Sequence, residues 1–173
     1  DPQAGHIHHF SDYQKDVSAM MQVVENLEMP KPYYLVGVSM GACIGLRSML
    51  DGLPVAAAAF ISPMWGIKMS AVQRIAAWPL SWAAKATGQG HSYVPGESGE
   101  IYVLETPFED NNLTHNAGMY DYWVEQAKSA PELQIGGPTM TWLFEALSEA
   151  RKFWSWIPQN SKASTKSEVT RSA

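Results

Sequence analysis

One cysteine stands among 173 residues, Cys43, so no disulfide can close within the chain. It sits in an apolar helical stretch, where a small buried thiol is the plain expectation. Cationic side chains are also scarce. Lys and Arg number 12 against 17 Asp and Glu, the net charge is −5, and no basic run gathers anywhere, which removes the electrostatic footprint of a nucleic-acid partner. No apolar run reaches the roughly eighteen residues that span a bilayer, and no signal peptide opens the chain. A cytoplasmic or peripherally membrane-associated protein is therefore expected. Methionine is missing from position 1, where Asp1 stands, so a piece of a longer protein is expected. Metal-ligand spacing is lacking too: His6, His8 and His9 gather near the start, but no carboxylate or cysteine stands at ligand spacing beside them. A loop is the simpler reading, and neither metal nor cofactor is implied.

What the chain does have is a globular composition, 46% hydrophobic, and one organising stretch, Lys31 to Leu50. Tyr33-Tyr34-Leu35-Val36 is an aromatic and branched run that reads as a buried strand, and Cys43 to Leu50 reads as a helix. Between them lies Gly37-Val38-Ser39-Met40-Gly41. This is G-x-S-x-G at a strand-to-helix junction, the form of a nucleophile elbow. A turn tight enough to lift a serine oxygen clear of a sheet brings backbone against the positions two before and two after, and Gly37 and Gly41 meet that need. The helix start also presents free N–H groups to a developing oxyanion. Ser39 is the candidate nucleophile and the backbone N–H of Met40 a candidate oxyanion donor. Three fixed letters are weak alone. The context strengthens them: Pro54 to Ile61 reads as a second buried strand, giving a strand, elbow, helix and strand of one parallel crossover unit.

Upstream, Ser11 and Gln14 have the spacing of a capping box. Tyr13, Val17, Met20, Met21, Val24 and Leu27 recur at helical spacing, which predicts a helix resting on a sheet. Downstream of Ser62-Pro63-Met64-Trp65-Gly66 the composition changes to tryptophan and methionine. Ala71 to Ala86 reads as a helix broken or kinked at Pro79, Ile101 to Leu104 as a short strand, and 116–129 and 139–156 as further helices. Helices inserted after a strand describe a cap. The expected segments are a partial α/β core with the elbow over 1–63, a helical cap over 64–157, and a polar, disordered tail over 158–173.

With these pieces placed, residues 5–155 resemble the lysophospholipase and monoacylglycerol lipase branch of the α/β-hydrolases, often called serine aminopeptidase-like. The resemblance rests on HHFSDYQKDV, YYLVGVSMGACIGLRSML, PVAAAAFISPMWGI, PFEDNNLT and PELQIGGPTMTWLFEAL. Val38 and Ala42 stand where such proteins usually carry a histidine and a second glycine. The resemblance implies a fragment of an α/β-hydrolase parallel sheet with an inserted, mostly helical cap. It also implies a serine hydrolase that cleaves carboxylic esters of lysophospholipid or monoacylglycerol type through an acyl-enzyme on Ser39, with a small lipid or ester as its partner. In that family the acid and the base follow the cap in the order Ser, Asp, His.

Here no Asp or His occurs after residue 151. The only histidines after Ser39 are His91 and His115, with Asp110 or Asp121 available to orient the latter, and all four fall in the expected cap. The triad partners are therefore expected to be absent and the fragment alone inactive. Met64 and Trp65, leaving a strand end next to the elbow, are the candidate substrate contacts. The other cap tryptophans and methionines either line an apolar groove or simply pack helices together. Glu105, Glu109 and Asp110 read as a solvated loop. A reading of a different class stays open: a non-catalytic module that keeps the elbow as architecture while its cap holds an apolar ligand or partner.

Overall fold

The computed structural model describes residues 3–164, with side chains for 3–155. They fall into two compact units, one built from His9–Gln73 with the described residues from Glu145 onward, the other from Arg74–Phe144 with those before His9.

The first unit holds two parallel strands, β1 (Tyr34–Val38) and β2 (Ala57–Ile61), in register from Tyr34 opposite Ala57 to Val38 opposite Ile61. Both are shorter at the start than the apolar runs that predicted them. The helix α2 (Met40–Leu50) lies on one face, burying Ala42, Cys43, Gly45 and Ser48. Gly45 lets the helix lie close to the strand, since a Cβ there would stand 2.9 Å from Leu35 Cδ2 on β1. Along the other face Tyr34 and Val36 are 69% and 67% exposed, and Val38 and Ile61 are also exposed. A parallel sheet is ordinarily covered on both faces, and here one apolar face is open among the described residues.

The helix α1 (Tyr13–Asn26) corrects two expectations. A 3-10 turn over Phe10–Asp12 precedes it, and the capping acid is Asp12, whose Oδ2 accepts the His9 N–H at 3.1 Å. Ser11 is inside that turn and Gln14 does not cap. Gln14 instead reaches α2, donating to the Ile44 carbonyl at 3.3 Å and accepting from Ser48 Oγ at 2.6 Å. The apolar stripe of α1 packs toward α2 with Tyr13, Val17, Met21 and Val24 half-buried, while Met20 and Leu27 remain in solvent.

The core of this unit is completed by α6 (Met140–Ser164), which contributes Ala146, Glu149, Ala150 and Phe153. The Phe10 N–H donates to Glu145 Oε2 at 3.0 Å. Continuing α6 to Ser164 takes in the first residues of the segment expected to be a disordered tail; the rest of that segment lies outside the described residues.

The second unit is mostly helical. Its α3 (Ala71–Ala86) runs on through Pro79 without a break in the helix. A single turn, α4 (Tyr102–Glu105), stands where a strand was expected over Ile101 to Leu104. Without a neighbouring strand to pair with among the described residues, they bond locally, Leu104 N–H to the Ile101 carbonyl at 2.9 Å. The helix α5 (Ala117–Ser129) is capped by the Asn116 side chain, which accepts the Met119 N–H at 3.1 Å. Buried Tyr120 donates to the Thr106 carbonyl at 2.6 Å. The described start of the chain belongs here and not with the strands, because Gly5 forms a parallel bridge with Pro138. No helix among the described residues is long and apolar enough to cross a membrane.

Candidate active site

Ser39 sits between β1 and α2 with φ 49° and ψ −118°, a conformation that side chains rarely adopt and that is worth about 1–3 kcal/mol of strain. Hydrogen bonds on both sides hold it. Its N–H donates to the Ile61 carbonyl at 3.1 Å, and its carbonyl accepts from Ala42 N–H at 3.1 Å and Met64 N–H at 3.0 Å. The serine is exposed, and its hydroxyl makes no cap bond to the helix it precedes. Met40 opens α2, so its N–H is among the donors a helix start leaves without an intrahelical acceptor.

The two flanking glycines differ. A Cβ on Gly37 would stand 2.7 Å from Ala42 Cα and 3.0 Å from Ala42 N, backbone that cannot swing aside. At Gly41 nothing lies within 4 Å. The close approach that demands glycine is thus at position 37, against the backbone of the wholly buried Ala42.

Met64 reaches the elbow through its backbone, and Trp65 follows it. The Trp65 ring meets Phe60 of β2 edge-on, with centroids 6.2 Å apart, and its carbonyl accepts the Trp154 indole N–H from α6 at 2.9 Å. Its own indole N–H is buried and has no partner.

The two histidines after Ser39 belong to the other unit. His91 stacks on His6 with ring centroids 4.3 Å apart, and His8 meets His6 edge-on at 5.0 Å. His6 also pairs with Thr139 Oγ1 through Nδ1 at 2.9 Å. Burial, then the neighbouring His91 and His8, lowers the pKa of His6 below the ordinary imidazole value. His115 is exposed ahead of α5. Among the described residues no hydrogen bond joins Ser39 to a histidine or a carboxylate, and no cluster has the composition to hold a metal ion.

Cys43, three residues into α2, is held inert. Burial pushes its thiol up to about 12, the Glu149 carboxylate adds to this, and Arg47 opposes it.

Residues 1–161 match the family described as Serine aminopeptidase, S33. The chain belongs to that family. The serine aminopeptidase S33 family has the α/β-hydrolase fold, and the parallel strand pair with its elbow and the surrounding helices are a fragment of it. Over 148 residues the chain is 30% identical to lysophospholipase L2 of Escherichia coli (strain K12), an overlap covering 85% of this chain and 43% of that protein. Over 159 residues it is 25% identical to the probable lysophospholipase L2 of Haemophilus influenzae, covering 91% of this chain and 49% of that one. The chain thus spans less than half the length of these relatives. No solved structure matches it.

Sequence reasoning did not single out Ser62, Trp154, Arg47 or Glu149. Ser62 carries a positive φ of 44°, for which Ser-Pro at a strand end is at best a faint signal. Trp154 is one tryptophan of seven, and nothing local distinguishes the one that bonds beside the elbow.

Proposed function

We propose that this chain carries the nucleophile elbow and cap of a serine hydrolase that cleaves carboxylic esters of lysophospholipid or monoacylglycerol type. One observation carries the reading: Ser39 stands exposed on a strained, left-handed backbone between a parallel strand and a helix start, with Gly37 pressed against the backbone of Ala42. The relatives' names, lysophospholipase L2 and probable lysophospholipase L2, support the lysophospholipid part of this substrate class.

In the proposed reaction Ser39 Oγ bonds to the ester carbonyl carbon while an imidazole base takes its proton. The carbonyl oxygen becomes an oxyanion facing the Met40 N–H. Collapse of the intermediate breaks the bond to the alcohol, which leaves with a proton from the imidazolium, and water then hydrolyses the acyl-enzyme. The base and its orienting acid lie beyond the residues present, so residues 1–173 alone are inactive. Met64 and Trp65, which follow the end of β2 beside the elbow, contact the substrate. Residues 64–157 act as the cap.

The test is labelling with a fluorophosphonate, in which Ser39 Oγ bonds to phosphorus and fluoride departs. The full-length gene product is labelled at Ser39, its Ser39→Ala variant is not, and residues 1–173 alone are not. A folded full-length protein that resists labelling sinks the reading. It would favour instead a module that binds an apolar ligand, a reading supported by the lack of any base bonded to Ser39 among the described residues.

A further inference from the structure

We propose that the turn from Ser62 to Trp65 is a clamp that sets the position of Ser39, with Ser62 as the positioning residue and Trp154 of α6 as its anchor; this rests on the reading of Ser39 as nucleophile. The chain leaving β2 makes two main-chain bonds to Ser39 that no sequence motif announces. Ile61 accepts the Ser39 N–H at 3.1 Å, and only three residues later Met64 donates to the Ser39 carbonyl at 3.0 Å. One short turn therefore grips the nucleophile's peptide groups from both sides.

To return in three residues the chain must reverse sharply, and it does so at Ser62, where φ is 44°. That is the left-handed region, which L-residues other than glycine and asparagine seldom enter, and the following Pro63 narrows the choices of Ser62 further. Strain of this kind persists only where surrounding bonds enforce it. They do so here. Trp65 N–H donates to the Pro63 carbonyl at 2.9 Å, and the Trp65 carbonyl is fastened by the Trp154 indole N–H at 2.9 Å. A line of hydrogen bonds and chain thus runs from α6 through Trp65 and Met64 to the carbonyl of Ser39. Neither Ser62 nor Trp154 touches the reacting atoms; they act through the backbone.

Backbone conformation, and not the Ser62 hydroxyl, is the operative property, so glycine and a β-branched residue must part company. In the full-length protein, saturation kinetics with a fluorophosphonate separate the maximal labelling rate from the apparent affinity of the probe. Ser62→Gly keeps the wild-type maximal rate. Ser62→Val lowers it about tenfold to a hundredfold, since misplacing a reacting group by an ångström has that effect, with apparent affinity little changed. A merely structural role would reduce the fraction of protein labelled, not the rate at which the folded fraction reacts. Should Ser62→Val fail to fold, Trp154→Phe carries the same test: the residue is 63% exposed, so losing the N–H leaves packing largely intact, and the maximal rate still falls severalfold. Wild-type rates in whichever of these two variants folds overturn the clamp, as does Ser62→Gly reacting as slowly as Ser62→Val. A wild type labelled at Ser39 alongside such results leaves the nucleophile reading standing. A wild type never labelled removes both.

Discussion

The carboxylate of Glu149, 2% exposed, accepts a hydrogen bond from Arg47 Nε at 2.7 Å and so ties the far part of the sequence to the helix that follows the elbow. Lys152 meets its second oxygen at 3.1 Å, and the Arg47 guanidinium lies 6.0 Å from the centre of the Phe153 ring. Breaking a buried pair from one side strands the other charge. Glu149→Ala is expected to destabilise the chain by about 2–3 kcal/mol, while the double change Arg47→Met with Glu149→Leu recovers much of that, because two apolar groups leave nothing unpaired. Urea denaturation of the four species in a double-mutant cycle measures it; a double variant as unstable as the sum of the singles contradicts it.

The elbow glycines should respond unequally. Gly37→Ala drives a methyl into the backbone of Ala42 and is expected to lose about 3 kcal/mol. Gly41→Ala meets open space in the first turn of α2 and gains helix propensity, so its effect should lie within about 1 kcal/mol of zero. Thermal unfolding of the two variants of residues 1–173 reads the difference, and equal losses would refute it.

The thiol of Cys43 should be silent while the chain is folded. An aromatic disulfide reagent at pH 8 is expected to react slowly with native protein and at once after addition of denaturant. The sign of the pH dependence follows from the raised value. The unfolded thiol ionises near 9 while the folded one holds its proton to about 12, so the native state binds more protons and stability falls as pH rises across that window. Replacing Cys43 by Ala should flatten this alkaline slope.

The open face of β1 and β2 predicts how residues 1–173 behave in isolation. Tyr34, Val36, Val38 and Ile61 form an apolar surface beside strand edges that are unpaired among the described residues, a template for association. Sedimentation should show concentration-dependent self-association and an apolar dye should bind, and Val36→Lys should weaken both. A protein that stays monomeric as its concentration rises would count against this.

The elbow could be read directly from the chain because its determinants are local. A branched, aromatic run, two glycines about a serine and a helical run beyond them specify a strand, a tight turn and a helix without reference to anything distant. The same locality misled elsewhere. Ser11 and Gln14 have the spacing of a cap, yet Gln14 gains more from Ile44 and Ser48, thirty or more residues away. Ile101 to Leu104 is apolar enough for a strand, but a strand needs a partner and none is at hand among the described residues. The motif could not say that Gly37 alone is crowded, that Ser62 must turn left-handed to return Met64 to Ser39, or that one tryptophan of seven anchors that turn. Sequence by itself determined the family, the elbow and the order of its elements, since those depend on residues within a few positions of one another. Tertiary structure alone decided what holds Ser39 in place, because hydrogen bonds such as that between Trp65 and Trp154 join residues that only packing brings together.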